Sequence, residues 1–203
     1  MLTVPETLLE RMGFLIENYS PLILEGIYYT LLLSVVGTFI GILIGSVLVM
    51  MRTQEIHYKD STFKRILKKV LRIIAQVYID IVRGTPMIVQ AALFFYGMAY
   101  IGYPLNPITA GLIIVAFNTA SYIAEILRSG INALDKGQME AARSLGMSRG
   151  LAMKKIILPQ VYKNSLPSLM NELIVNIKDS SVLSTIGVTE LFYMTKGAAS
   201  EYY

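Results

Sequence analysis

The sequence predicts an all-α membrane protein, a bundle of helices that cross the bilayer several times. Of its 203 residues, 54% are hydrophobic and only 16% are charged, whereas soluble domains average about 25% charged residues. The chain has no cysteine and one histidine, His57. A disulfide scaffold, a thiol nucleophile and a Cys/His zinc site are therefore excluded. We expect a single transmembrane domain over residues 1–203, with no catalytic residue and no metal site.

The first predicted span covers residues 26–51, which contain no charged side chain. Its length exceeds the roughly 20 residues that an α-helix needs to cross the hydrocarbon layer. Within it Gly37, Gly41 and Gly45 recur every four residues. This spacing places them on one helix face and predicts that another helix approaches closely there.

The second apolar stretch, residues 70–101, is too long for one straight span. Pro86 lacks a backbone donor and Gly84 loosens the preceding turn, so we expect a kink near residues 84–86. A third span over residues 108–127 follows a short turn and carries Asn118 near its middle.

The fourth predicted span, residues 167–183, is more polar than the others. It contains Glu172, Asn176, Lys178 and Asp179. Because these side chains are costly in contact with lipid, this helix should face protein or a water-filled route.

Two basic segments set the predicted orientation. Residues 52–72 and residues 128–163 each hold seven Lys or Arg against two acidic residues. Short basic loops beside apolar spans are typical of cytoplasmic loops, so the N-terminus should lie outside. A nucleic-acid-binding surface is disfavoured because these charges flank membrane spans.

The loop between the third and fourth spans carries a distinctive pattern over residues 140–159. We expect a short helix over residues 138–145, a left-handed turn at Gly146, and a second helix that Ser148 caps and that ends before Pro159. Ala141 and Ala142 should form a flat face that fits a groove on another protein. An alternative is an amphipathic helix that rests on anionic lipid headgroups.

This pattern resembles the EAA loop of permease subunits of ATP-binding-cassette (ABC) importers. Residues 80–90, 122–130, 137–138 and 178–183 resemble the polar amino-acid branch, whose members serve histidine, glutamine, glutamate, arginine and opines. The resemblance implies the type I permease fold, with residues 128–166 as a cytoplasmic coupling loop. Family members carry a fifth span beyond the point where this chain stops. The matching loop positions are Glu140, Ala141, Ala142, Gly146, Ile156, Leu158 and Pro159.

The resemblance also implies partners and a location. It implies a second permease subunit, identical or homologous, two ATPase subunits that bind ATP and Mg, and an extracytoplasmic amino-acid-binding protein. The chain has no Gly-x-x-x-x-Gly-Lys-Ser/Thr phosphate loop, so the energy must come from a partner. Transport by alternating access across a bacterial cytoplasmic membrane is the expected activity. The alternative is a secondary transporter or channel that uses intramembrane carboxylates.

A route for an amino acid should offer groups for an ammonium and for a carboxylate. Asp80 or Glu125 would bind the ammonium group, and the break at Arg83 and Thr85 would bind the carboxylate. Asn118 could lie between them. The alternative is structural: Asp80 neutralises Arg83, and Glu125 neutralises Arg128, at three-residue spacing.

Overall fold

A computed structural model describes residues 7–55 and 60–200, and this part of the chain is mainly helical; His57 lies outside it. A π turn over Met153–Ile157 precedes α7, and a 3₁₀ helix over Ser180–Ile186 follows it. In chain order the α-helices are α1 (Leu8–Arg52), α2 (Thr62–Gly84), α3 (Met87–Tyr100), α4 (Pro107–Ala133), α5 (Lys136–Ser144), α6 (Arg149–Ala152), α7 (Leu158–Asp179) and α8 (Leu191–Ser200).

Two helices of the described chain are long and apolar enough to cross a membrane, within Glu17–Arg52 and Pro107–Ala133. A third crossing results if α2 and α3 are counted as one span. These two helices meet at an angle of 107°, and the break falls at the predicted position near Pro86. The polar helix α7 does not meet the same test of length and composition.

The first helix is longer than predicted. The predicted span, residues 26–51, lies within α1, which begins earlier, at Leu8. The uncharged stretch begins after Glu25, and Glu17 lies earlier in the same helix. Both side chains are exposed, and neither interrupts the backbone hydrogen bonding of the helix. At 1.5 Å per residue, the 45 residues of α1 extend for about 68 Å, more than twice the hydrocarbon thickness.

The prediction that a helix ends before Pro159 was also wrong. The chain continues without interruption from α6 through the π turn into α7, and Pro159 lies in the first turn of α7. A proline ring collides with the carbonyl group four residues earlier in a regular helix. The π turn, in which the Leu158 amide donates to the Met153 carbonyl oxygen, widens the backbone before the ring. Helix α7 likewise continues through Pro167, where the sequence predicted a span to begin.

Helix α4 is the centre of the bundle and contacts α1, α2, α3 and α7. Its contact with α1 runs along the glycine face that the spacing predicted. A Cβ atom added to Gly37 would lie 2.5 Å from Val115 Cγ1, and one on Gly45 would lie 2.8 Å from the Ala120 carbonyl oxygen. Only glycine permits the two helices to lie this close.

A buried group of three polar side chains joins α1, α4 and α7 at one level. The Asn176 amide donates to Thr38 Oγ1 at 2.7 Å and to Thr119 Oγ1 at 2.9 Å. All three side chains are at least 95% buried. Because each polar atom would be costly alone in an apolar interior, the group specifies the register of the three helices.

The glycine face provides a test of this packing. Gly45→Ala should destabilise the protein by about 1–3 kcal/mol, since the new methyl group meets a backbone carbonyl that cannot rotate away. Gly97→Ala is the matched control, because Gly97 has no atom within 4 Å of the added Cβ. The control should be neutral or stabilising by up to about 1 kcal/mol. Thermal unfolding in detergent, followed by circular dichroism, measures both; equal melting temperatures would contradict the packing.

Candidate functional site

The loop between α4 and α7, here the α5–α6 loop (residues 134–157), is a compact pair of helices. The Asp135 side chain caps α5 by accepting from the Gly137 amide at 2.8 Å. Gly146 has φ +81°, and the Met147 amide donates back to the Ala142 carbonyl oxygen at 3.2 Å. This left-handed closure is the one predicted, and it favours glycine because other residues are strained there. Ser148 caps α6, as expected, by accepting from the Leu151 amide.

The outward face of α5 differs from the predicted one. Glu140 and Ala141 are exposed, and Leu145 just after the helix is 83% exposed. Ala142 is buried, with 2% exposure, so the expected face with both alanines outward was wrong. Neighbouring helical residues point about 100° apart, and a narrow exposed face can include only one of them. Of the other pattern positions, Leu158 is buried, Ile156 is half-buried and Pro159 is exposed.

The α5–α6 loop is tied to the end of α1 by one ion pair. Arg149 Nη2 lies 2.6 Å from Glu55 Oε1. Two open cavities of about 760 and 700 Å³ share Glu55, Arg149 and Met153 in their linings. The loop therefore contacts the chain just after α1 through this ion pair, and both cavities border the contact.

A second ion cluster joins α1 to α4 at this same end of the bundle. Arg52 Nη1 lies 2.5 Å from Glu125 Oε2, and Arg128 donates from Nε to Glu125 Oε1 at 2.9 Å. The predicted pairing of Glu125 with Arg128 is confirmed. Sequence reasoning missed Arg52, because 73 residues separate it from Glu125. The Glu125 carboxylate thus has two guanidinium partners.

The break between α2 and α3 is held by Gln90. Its amide nitrogen donates to the Val82 and Thr85 carbonyl oxygens at 2.8 and 3.0 Å. These carbonyls belong to the end of α2, where the helix has no amides left to bond them. Gln90 Oε1 in turn accepts from the buried Asn118 amide at 3.0 Å. The broken helix is thus fastened to the middle of α4, and Gln90 is a residue that the sequence reasoning did not single out.

Asp80 and Arg83 do not pair with each other, so the predicted neutralisation was wrong. Both Asp80 carboxylate oxygens accept from Gln76 Nε2 at 2.7 Å. Arg83 instead places its guanidinium 5.4 Å from the centre of the Tyr122 ring, within the range of a cation–π interaction. Three-residue spacing allowed a pair, but each side chain has another partner.

Glu172 on α7 is a charged residue in the interior of the bundle. Its side chain lies on the inner side of α7, and the residue is only 9% exposed. Within residues 7–55 and 60–200 it makes no ion pair or hydrogen bond, while Arg83 and Asp179 act on it electrostatically. The sequence indicated that Glu172 faces protein or water, and the residue is buried in the bundle. A buried carboxylate without a hydrogen-bond partner is costly and typical of a functional position.

Comparison with known proteins identifies the family. The model of the family described as binding-protein-dependent transport system inner membrane component matches residues 61–202. The chain belongs to this family. The predicted family and the predicted helical fold class are both confirmed.

Individual relatives of this transport-system component are similar over most of their length. A putative glutamine transport system permease protein of Rickettsia prowazekii is 36% identical over 94% of this chain and 83% of its own. The arginine transport system permease protein ArtQ of Bacillus subtilis is 36% identical over 90% of this chain and 78% of its own. A crystal structure of an amino acid ABC transporter with histidines matches with a TM-score of 0.81 and 36% identity, over 98% of this chain and 86% of that chain.

Proposed function

We propose that this chain is the membrane-spanning permease subunit of an ATP-driven importer of a polar amino acid, in a bacterial cytoplasmic membrane. The observation that carries the proposal is the exposed face of α5, closed by the left-handed Gly146 and presenting Glu140, Ala141 and Leu145. Relatives described as permeases of glutamine and arginine transport systems support the substrate class.

The α5–α6 loop would be the coupling element that docks on an ATPase subunit. Ala141 and Leu145 offer a small apolar surface, and Glu140 beside them would pair with a basic side chain of the partner. Movement of the docked loop would pass through Arg149 to Glu55 at the end of α1, and from Arg52 to Glu125 on α4. Arg149 and Glu55 form an ion pair, and Arg52 donates a charged hydrogen bond to Glu125.

The remaining partners are inferred from the missing phosphate-binding loop and from the family to which the chain belongs. It contains no phosphate-binding loop, so ATP and Mg would be bound by two separate ATPase subunits. A second permease subunit would complete the pathway, and an extracytoplasmic binding protein would deliver the amino acid. This chain would perform no catalysis and would use no cofactor of its own.

The substrate route would pass between α4, α7 and the break that follows α2. Glu172 would accept the ammonium group of the amino acid, and Arg83 would face its carboxylate. Asn118 and Thr85 would contribute neutral hydrogen-bonding groups near the break. Asp80 lies on the exposed face of α2 with Gln76, and Glu125 lies between two arginines. We therefore assign these two carboxylates to structural roles and place the route at Glu172.

Orientation is tested by labelling single cysteines, which the cysteine-free sequence permits. With the basic loops inside and the N-terminus outside, Tyr103→Cys should react with a membrane-impermeant maleimide in intact cells. Lys154→Cys should react only after permeabilisation. Tyr103 is 69% exposed and Lys154 is also exposed, so both thiols are accessible to reagent on their own side. The reverse labelling pattern would show an inverted topology.

Coupling is tested at the left-handed turn. Gly146→Val should uncouple uptake from ATP hydrolysis, because a β-branched residue at φ +81° costs about 1–3 kcal/mol and displaces α5. Gly150→Val is the matched control: it also has open space around the added Cβ, but no positive φ. Substrate-stimulated ATP hydrolysis and uptake are measured in proteoliposomes that hold the complete transporter. Normal coupling in both variants would contradict the assignment.

The same proteoliposomes separate the importer from the alternative secondary transporter. With a hydrolysis-deficient ATPase subunit, an ATP-driven importer should show no concentrative uptake. Continued uptake driven by an ion gradient would instead favour a carrier that uses Glu172.

The route is tested by removing one charge. Glu172→Gln should weaken apparent amino-acid affinity about 10- to 100-fold, the equivalent of losing a hydrogen bond to a charged group. Asp80→Asn is the matched control and should leave affinity nearly unchanged, because Asp80 is exposed. Concentration-dependent uptake measures both variants after their expression and assembly have been compared. An unchanged affinity in Glu172→Gln, or an equal loss in both variants, would exclude Glu172 from the route.

A further inference from the structure

The first three turns of α2 follow the connection after α1 and are largely exposed. The Arg72 guanidinium donates to the Gln54 carbonyl oxygen, which lies two residues after the last residue of α1. The ten residues of α2 that precede Arg72 are about 15 Å long. Residues 61–67 are all exposed, so this segment has little cover from the rest of the chain.

This segment presents an apolar stripe. Phe63 is 75% exposed and Ile66 is 58% exposed, and Leu67 and Val70 are each 45% exposed. Spacings of three and four residues place them on one face of the helix. The stripe continues without a break into the part of α2 beside the bundle, through Ile73, Ile74, Val77 and Ile81, all exposed.

Basic residues occupy both edges of the stripe. At 100° per residue, Lys64 lies about 60° from Leu67 on one edge, and Lys69 lies about 60° from Ile66 on the other. Arg65 lies on the back of the helix. Within the part of the chain that the structure describes, none of these three cationic side chains has an ion pair or hydrogen bond.

The other two cations of the segment have different surroundings. Lys68 lies 2.7 Å from the Asp60 carboxylate and 3.0 Å from the Glu55 carbonyl oxygen, and Arg72 bonds to Gln54. These two side chains fix the helix to the connection after α1. The face toward the protein is thus satisfied internally, while Lys64 and Lys69 remain available to an external anion.

We propose that residues 62–72 of α2 form a binding surface for anionic phospholipids at the membrane boundary. The stripe would lie against the acyl chains, and Lys64 and Lys69 would reach phosphate groups with their flexible stems along its edges. Arg65 would add positive charge from the back of the helix. Continuity favours lipid over a protein partner, because the same stripe runs into the part of α2 that would cross the membrane together with α3. The proposal goes beyond amino-acid transport and does not depend on the identity of the substrate.

A fluorophore at Ile66→Cys, the single cysteine of the chain, tests the surface in the complete transporter. The transporter is reconstituted in phosphatidylcholine vesicles that contain equal mole fractions of either doxyl-labelled phosphatidylglycerol or doxyl-labelled phosphatidylcholine. The anionic quencher should be effective at an at least about fivefold lower mole fraction, the factor expected for one lysine near an anionic surface.

Charge removal supplies the matched comparison. Lys64→Gln, Arg65→Gln and Lys69→Gln together should abolish the preference for the anionic quencher while quenching by phosphatidylcholine persists. The control, Lys136→Gln, Lys154→Gln and Lys155→Gln, removes three exposed cations of the α5–α6 loop and should retain the preference. Equal quenching by both lipids in the parent would overturn the proposal. Quenching by aqueous iodide alone would also overturn it, because the stripe would then lie in water. A fluorophore that no quencher reaches would overturn it as well, because a partner protein would then cover the stripe.

Discussion

The close approach of α1 and α4 is the constraint on which the remaining structure depends. In a bilayer, apolar side chains gain little by leaving lipid for protein, so helices associate through close packing and hydrogen bonds. Gly37, Gly41 and Gly45 remove the side chains from successive turns of one face of α1, and Val115 and Ile123 of α4 fill that space. Helix α4 can then contact α2, α3 and α7 on its other sides.

Several polar contacts form only because this helix pair is close. The pair of Arg52 with Glu125 joins the ends of α1 and α4, and the bond from Asn176 to Thr38 requires both helices beside α7. A shift of α1 away from α4 would break each of them and leave polar groups unpaired in an apolar setting. The proposed path from the α5–α6 loop into the bundle therefore depends on glycine packing about 10 to 20 Å away along the helix.

Hydropathy and local chemistry predicted the features that arise from short stretches of sequence. The glycine face of α1, the break near Pro86, the left-handed Gly146 and the cap at Ser148 each depend on residues close together in the chain. The errors share another origin. The pairing of Asp80, the burial of Ala142 and the partner Arg52 depend on which side of a helix meets a neighbour, and spacing alone does not determine that. A helix end is predicted before Pro159 because a regular α-helix excludes proline from its interior, whereas the π turn over Met153–Ile157 accommodates the ring.

The group of Thr38, Thr119 and Asn176 limits which parts of the bundle can move separately. Its hydrogen bonds are 2.7 to 3.2 Å long, and sliding one helix by a single residue, about 1.5 Å, would break them. Helices α1, α4 and α7 therefore shift together as one rigid body while these bonds persist. The segment α2–α3 is attached differently, through Gln90 and Asn118 at a break that already bends the chain by 107°. Because α2 and α3 also pack against α4, and the Tyr78 hydroxyl donates to the Phe117 carbonyl oxygen, a movement at this break must exchange those contacts together with the bond between Gln90 and Asn118.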